Sequence, residues 1–215
     1  MSDAGLKSLV EEELEFEPRV NAAHIGVAAR DGVVTLTGRV ASYVEKVAAE
    51  KAAQRVRGVK AIAEEIEVRY PYDGARSDEE IAMRAANVPE WNMSVPDAVK
   101  VKLERGWVTL SGAVDWQYQR EAAESAIRQL DGVIGVTNAI ALKDRPKAAD
   151  VKKTIEDALK RNAALDAAAI DVMVTNDQVR LSGKVHSWHE RRIAEQAAWS
   201  APGVKAVDAK ISIAA

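Results

Sequence analysis

The order of hydrophobic and polar positions repeats three times along the chain. Each copy opens with apolar residues three and four apart, which predicts an amphipathic helix; in the third copy Asp150 can cap a helix with the apolar stripe Val151, Ile155 and Leu159. Apolar and polar residues then alternate, as over residues 170–174, which is typical of a half-buried strand. A short turn and a second alternating stretch predict an antiparallel hairpin in every copy.

A second helix and a closing strand complete each predicted unit. Ser42 and Ser187 each stand three residues before a glutamate, the spacing of a capping box, whereas Asp115 is the predicted cap in the second copy. Alanines line one face of this helix, so it can lie close to a sheet. Because the last strand follows a strand-helix crossover, we expect it to run parallel to the second hairpin strand.

Glycines recur at two positions of each copy, and we interpret them as residues that the fold requires. One follows the hairpin, where we expect a β-bulge or a helix backbone close to the sheet. The other ends the second helix in the left-handed conformation. The hairpin turns Asp31-Gly32, Arg105-Gly106 and Asn176-Asp177 also tolerate a positive φ. The six fold-defining glycines are Gly38, Gly112 and Gly183 after the hairpins, and Gly58, Gly132 and Gly203 after the helices.

The elements together predict an α+β fold of three tandem small domains. Each domain has the order helix-strand-strand-helix-strand, with a three-stranded mixed sheet covered by two helices. The copies recur at intervals of roughly 70 residues, near the lower limit for an independent core. The predicted domains are residues 1–72, 73–145 and 146–215.

The repeated motif resembles the BON domain family, named for bacterial OsmY and nodulation proteins. The segments Asp31 to Val40, Gly106 to Val114 and Val179 to Val185 carry the resemblance, together with the three late Gly-Val pairs. The resemblance implies the fold predicted above, no enzymatic activity, binding to phospholipid surfaces and a link to osmotic or envelope stress. It supplies no catalytic or ligand residues, because the motif consists of fold residues.

Net charge, apolar stretches and the first residues indicate which partners and which cellular location to expect. The net charge of −3 argues against a nucleic-acid partner, since such binding needs a strong cationic field. No stretch is long and apolar enough to span a bilayer. The first residues lack the pattern of an export signal, so we expect a cytoplasmic protein if Met1 is the native start, and a periplasmic one if a signal peptide has been removed.

The sequence contains few residues in patterns typical of catalytic or metal-binding sites. His186 and His189 could face one metal from a helix, but no third ligand is evident, so we predict no metal site. There is no cysteine, no phosphate loop and no nucleophile elbow, and we predict neither cofactor nor enzymatic activity. The acidic stretch from Glu11 to Glu17 is interpreted as a solvated helix surface.

Two groups of side chains are the candidate lipid-binding residues. The first helix of the third copy has a cationic face beside apolar residues, which suits an anionic lipid surface. The alternative is a solvated helix whose apolar side is buried in the core. Tryptophans occur at positions that differ between the copies, so they are either exposed anchors or contacts between units. These candidates are Lys152, Lys153, Lys160 and Arg161, with Trp91, Trp107, Trp116 and Trp188.

The prediction for function is a non-enzymatic protein of three BON-like domains that associates with phospholipid surfaces under stress. The alternative is a protein-interaction or holdase-like scaffold, in which the sheets present edges to polypeptides or to further copies of the chain. The sequence leaves the oligomeric state open.

Overall fold

A computed structural model describes residues 2–70, 76–88, 92, 94–144, 150–163 and 165–213. The first unit follows the predicted order of elements. They are α1 (Asp3–Phe16), β1 (Ile25–Arg30), β2 (Val33–Val40), α2 (Tyr43–Arg55) and β3 (Ala61–Val68).

The second and third units repeat this order. The second contains α3 (Asp78–Ala86), β4 (Lys100–Glu104), β5 (Trp107–Ser111), β6 (Ala113–Val114), α4 (Gln117–Arg128), β7 (Gly135–Asn138) and β8 (Ala141–Leu142). The third contains α5 (Val151–Lys160), β9 (Ile170–Thr175), β10 (Gln178–Val185), α6 (Trp188–Trp199) and β11 (Ala206–Ile213). The predicted domain limits at 72/73 and 145/146 lie outside the described residues and stay predictions.

Each sheet has the second hairpin strand at its centre. In the first unit β1 pairs antiparallel with β2, and β3 pairs parallel with β2 on the other side. The third unit has the same arrangement, and in the second unit short β6 and β8 extend the pairing of β5 with β7. The predicted mixed sheet and its parallel closing strand are therefore confirmed.

The two helices of each unit cover the same face of its sheet. In the first unit Leu6, Val10 and Leu14 of α1 meet Val34 and Leu36 of β2 in one buried cluster. The third unit builds its cluster in the same way from the stripe predicted for α5. For the first helix of the second unit the sequence predicts an apolar stripe of Ile81, Met83, Ala85 and Val88. Met83 is the exception, because it points to solvent with 56% of its surface exposed while the other three are buried.

The glycine after each hairpin is explained by a close approach of backbone. The pairing of β1 with β2 runs without an extra residue through Gly38, so the expected bulge is absent there. A Cβ on Gly38 would stand 2.0 Å from the carbonyl oxygen of His24, the last residue of the 3-10 turn Ala22–His24, and φ is +132°. Gly183 meets the carbonyl of Ala169 in the same way. The approaching backbone thus belongs to the turn before the first strand, not to the second α-helix.

One local prediction needs correction, in the second unit, and one turn of the third unit takes the conformation that its residues tolerate. The N-cap of α4 is Trp116 and not Asp115; the Gln119 side chain accepts the backbone N–H groups of both residues at 3.0 Å. At the turn between β9 and β10 Asn176 alone takes a positive φ, 57°, and Asp177 does not. Asn has a short polar side chain that tolerates this conformation, so a single left-handed residue suffices.

The second face of each sheet carries no helix among the described residues of its own unit. Along β2 the residues that alternate with the core positions are polar or half-exposed, and Val33 is 42% exposed. On β9 Met173 is 61% exposed. Each unit is therefore a two-layer structure with one covered and one open sheet face.

Candidate functional site

The cationic residues predicted on α5 all lie at the surface. Lys152, Lys153, Lys160 and Arg161 are exposed and lie outside the buried stripe of Val151, Ile155 and Leu159. Lys152 lies 3.6 Å from the Glu156 carboxylate, and Lys160 lies 3.9 Å from that of Asp157. Within the described ranges, the side chains of Lys153 and Arg161 have no carboxylate within ion-pair distance. The helix therefore presents a surface with partly uncompensated positive charge.

Trp107 is the candidate tryptophan that the structure places on an open sheet face. Its side chain is 49% exposed and lies across Gly135 of the neighbouring strand. The indole Nε1 donates to the Thr137 hydroxyl at 2.9 Å. An indole held this way exposes its apolar face and is fixed at its polar edge.

Trp188 instead joins the third unit to the first. Its indole Nε1 donates to the carbonyl oxygen of Val59 at 2.9 Å, and the side chain is half-buried. The guanidinium carbon of Arg191 lies 5.2 Å from the ring centroid, which is within the range of a cation–π contact. The predicted role of tryptophans as contacts between units therefore describes Trp188.

Trp116 lies beside a cavity between the second and third units. Trp116, Tyr118 and Trp199 line this space of about 450 Å³, together with polar residues of α4 and α6. Trp116 is half-buried, as is Trp199, so both rings contribute to the region where the units meet. Trp91, the remaining candidate, lies outside the described residues.

A further contact joins the first two units. The Tyr70 hydroxyl, just past the end of β3, donates to the carbonyl oxygen of Val133 at 2.7 Å. Tyr43, the first residue of α2, packs against the buried cluster of the second unit. Burial raises the pKa of Tyr70, and the nearby carboxylate of Asp131 adds to the increase.

The acidic helix α1 departs from the sequence interpretation at its C-terminal end. Glu17 is buried, with 6% of its surface exposed, and accepts hydrogen bonds from Arg19 at 2.7 Å and from Arg55 at 3.1 Å. Arg55 also contacts Glu13 at 2.6 Å. These hydrogen bonds, first the one from Arg19, lower the pKa of Glu17 to about 2. Glu13 and Glu17 thus hold α1 against α2, and only the nearby Arg19 signals this in the sequence.

The histidines do not assemble a metal centre in the described part of the chain. His186 and His189 are exposed, and the backbone N–H of His186 donates to the Glu190 carboxylate at 2.9 Å. No group of three or more histidine, cysteine or carboxylate side chains that could hold a metal occurs among the residues described. Nor do these residues include a helix long and apolar enough to cross a bilayer.

The fold and its surfaces define a tandem array of small α+β modules joined through side-chain contacts. Comparison with known families extends this conclusion. The BON domain matches residues 2–70, 77–144 and 147–215. The chain belongs to the BON domain family, with three copies of the domain.

One named relative agrees with this assignment. The chain is similar to the osmotically-inducible protein Y of Escherichia coli (strain K12), with 32% identity over 154 residues, which are 66% of this chain and 74% of that protein. Two solved structures of CdsD, a structural protein of the type III secretion system of Chlamydia trachomatis, share 15% identity with it. One covers 98% of this chain and 92% of its own, with a TM-score of 0.27; the other covers both chains fully, with a TM-score of 0.28. Scores this low support no conclusion about this protein.

Proposed function

We propose that this protein is a non-enzymatic binding protein that associates with anionic phospholipid surfaces in osmotic or envelope stress. The observation that carries the proposal is the exposed cationic face of α5, where Lys153 and Arg161 have no carboxylate partner among the described residues. Positive charge near a membrane surface is attracted to anionic headgroups by about 1 kcal/mol per residue. The name of the Escherichia coli relative supports the link to osmotic stress.

Aromatic side chains supply the second part of the proposal. Trp107 exposes its ring on an open sheet face, and such rings favour the interface between water and lipid. Trp116 and Trp188 are half-buried next to neighbouring units, so their contribution to lipid binding would require the units to move apart. We therefore assign the first contact with lipid to α5 and Trp107.

Co-sedimentation with liposomes of neutral and of anionic composition, over a range of salt concentrations, tests the proposal. We expect binding to the anionic liposomes only, weakening as salt rises, because screening shortens the reach of exposed charges. Reversal of the α5 cations should abolish it. The variant for this test is Lys152→Glu, Lys153→Glu, Lys160→Glu and Arg161→Glu.

A control variant with the same change of net charge separates a local effect from a general one. It reverses four exposed cations on strands of the first two units. These changes are Arg30→Glu, Arg39→Glu, Lys100→Glu and Lys102→Glu. Equal losses in both variants would show that net charge alone governs binding, and absence of wild-type binding to either liposome would refute the lipid proposal.

The open sheets favour a second candidate function, a protein-interaction or holdase-like scaffold. Within the described residues the outer edges of β1 and β3 pair with no further strand, and Val33 and Met173 expose apolar surface on the open faces. Free edges and apolar faces are surfaces on which an extended polypeptide or a second copy can add. Suppression of aggregation of an unfolded client, unaffected by the α5 reversal, would favour this function over lipid binding.

A further inference from the structure

The cavity between the second and third units has the size and lining of a small-molecule site. The start of α4 forms one wall, and the last turn of α6 with the residue after it forms the other. Its volume of about 450 Å³ falls within the usual range of ligand pockets. We call this space the junction cavity. The lining residues used below are Trp116, Gln117, Tyr118, Glu121, Trp199 and Ser200.

Contacts between the second and third units hold the two walls of the junction cavity together. Asp144, which follows β8, forms an ion pair with Lys205, which precedes β11. Lys205 also lies 3.4 Å from the carboxylate of Asp177, in the turn between β9 and β10. Trp199 packs against the buried core of the third unit. The cavity is therefore formed by the packing of the two units.

The charged group that lines the junction cavity is an anion. Glu121 is the charged side chain among the described lining residues, and it is exposed. In the part of the chain that the structure describes, its carboxylate has no cation within ion-pair distance. The Gln117 amide nitrogen donates to this carboxylate at 3.2 Å. Because a carboxylate only accepts hydrogen bonds, this contact fixes which end of the Gln117 amide is the oxygen.

Two further oxygen atoms of the lining residues are available as acceptors. The Oε1 atom of Gln117 is buried and has no hydrogen-bond partner among the described residues, whereas buried acceptors normally have one. The Ser200 hydroxyl donates its proton to the Gln196 carbonyl at 2.8 Å, so its oxygen remains as an acceptor only. Together with the Glu121 carboxylate, these atoms favour a positively charged ligand that carries a hydrogen-bond donor.

The aromatic side chains of the junction cavity favour the same class of ligand. Trp116 and Tyr118 come from the second unit and Trp199 from the third, and Tyr118 is 57% exposed. The face of an aromatic ring attracts a cation, and groups of such rings bind alkylated ammonium ions in other proteins. Methyl groups on the nitrogen also bury apolar surface against the rings, which distinguishes an organic cation from a metal ion.

We propose that the junction cavity binds a small organic ammonium ion that carries methyl groups on its nitrogen and a hydroxyl or N–H donor. The three aromatic rings contact the methyl groups, the Glu121 carboxylate compensates the charge, and an acceptor of the lining takes the hydrogen bond. The ammonium group could belong to a free compound or to a lipid headgroup, and the chemistry of recognition is the same. The site contains none of the residues assigned above to the first contact with lipid.

Calorimetric titration of the full chain with choline tests the proposal. Choline is a trimethylammonium ion with one hydroxyl donor, and its neutral isostere has a tert-butyl group in place of the trimethylammonium group. We expect saturable binding of choline and about tenfold weaker binding of the isostere, because the charge accounts for the attraction by the rings and by Glu121. Equal binding of the two compounds, or no binding of choline, would overturn the proposal.

Two variants locate the binding of choline. Glu121→Gln removes the charge of the carboxylate and keeps its shape, and Tyr118→Leu replaces a ring by an apolar side chain. Each should lower the affinity for choline by about three- to tenfold. Both positions are exposed, so folding should be retained, and circular dichroism checks this.

Glu15→Gln on α1 is the matched control, because it makes the same change of charge at an exposed position far from the cavity in sequence. It should bind choline as the wild type does. Unchanged affinity in both cavity variants would overturn the proposal.

Liposomes distinguish the two sources of the ammonium group. If phosphatidylcholine vesicles compete with choline, and Glu121→Gln weakens the binding of both, the ligand is a lipid headgroup. If choline binds and the vesicles do not compete with it, the ligand is a free compound. Either result supports the site. The reversal of the α5 cations should leave choline binding unchanged, so failure of the lipid function proposed above and failure of the cavity site are separate outcomes.

Discussion

The indole Nε1 of Trp188 donates to the carbonyl oxygen of Val59 at 2.9 Å, across 129 positions of sequence. This hydrogen bond joins the first residue of α6 to the segment that follows α2, so the third unit contacts the first directly. Arg191 covers the same ring. Trp188 therefore stabilises the packing of the third unit against the first.

Replacement of Trp188 by Phe should destabilise the protein by about 1–2 kcal/mol, because the Val59 carbonyl loses its donor while most of the ring is kept. Chemical denaturation measures this. Trp107→Phe is the matched control, and its cost should stay within about 0.5 kcal/mol because its indole donates to an exposed partner. Iodide quenching should show that Trp107→Phe removes an accessible indole and Trp188→Phe a protected one; the reverse order would contradict these placements.

Gly38 allows a prediction about the recurrent glycines. Gly38→Ala should destabilise the first unit by more than about 2 kcal/mol, because a Cβ would clash with the His24 carbonyl and φ is positive. Thermal unfolding followed by circular dichroism measures the loss.

The control is Gly26→Ala on the neighbouring strand. A Cβ there would stand 2.8 Å from the Thr37 hydroxyl oxygen, a side-chain atom that can rotate away, and 3.9 Å from the Thr37 carbonyl oxygen, an ordinary contact; φ lies outside the left-handed region. Its cost should stay below about 1 kcal/mol. Similar costs for the two variants would show that the close approach to His24 does not constrain the fold.

Much of the fold of each unit could be predicted from the sequence. The hairpins, the left-handed glycines and the parallel closing strand follow from periodicity and spacing, which are local properties. The same reasoning misplaced the cap of α4, because the Gln119 side chain reaches back to a residue that cannot cap a helix by itself. It also anticipated a backbone close to Gly38 but assigned it to the wrong element.

The side-chain contacts between units could not be predicted from the sequence, for a physical reason. The bond from Trp188 to Val59 and the bond from Tyr70 to Val133 depend on how separate units pack, and no local pattern encodes that packing. The burial of Glu17 was missed because a run of acidic residues normally marks a solvated helix face, and its partner Arg55 lies on the second helix. The exposure of the α5 cations, by contrast, follows from the helical period.

Tyr70 provides a test of the contact between the first and second units. Tyr70→Phe should cost about 1–2 kcal/mol of unfolding free energy, because the Val133 carbonyl would lose its donor. Since burial raises the pKa of Tyr70 in the folded state, its stabilising effect is present below the ordinary pKa of about 10 and is lost as the pH rises through the raised value.

Spectrophotometric titration should therefore show one tyrosine that ionises later than the ordinary value, and this step should be missing in Tyr70→Phe. Tyr118→Phe is a suitable control because that side chain is exposed. If the late ionisation persists in Tyr70→Phe, the hydroxyl is not the buried donor between the units.

The ion pairs of Glu17 predict a defined dependence of stability on pH. Its pKa is lowered from 4.5 to about 2 by the hydrogen bonds from Arg19 and Arg55, so the ionised carboxylate stabilises the folded state above the unfolded pKa. This stabilisation should be lost as the pH falls from about 5 to about 2. Glu17→Gln should cost about 1–2 kcal/mol at pH 7, a value reduced by the solvent exposure of both arginines. Urea unfolding at successive pH values should show the unfolding free energies of Glu17→Gln and the wild type converging over that interval.

Glu15→Gln, an exposed change on the same helix, is the control and should leave the dependence of stability on pH unchanged. A constant difference in unfolding free energy between Glu17→Gln and the wild type down to pH 2 would mean that packing, not charge, accounts for the effect of Glu17.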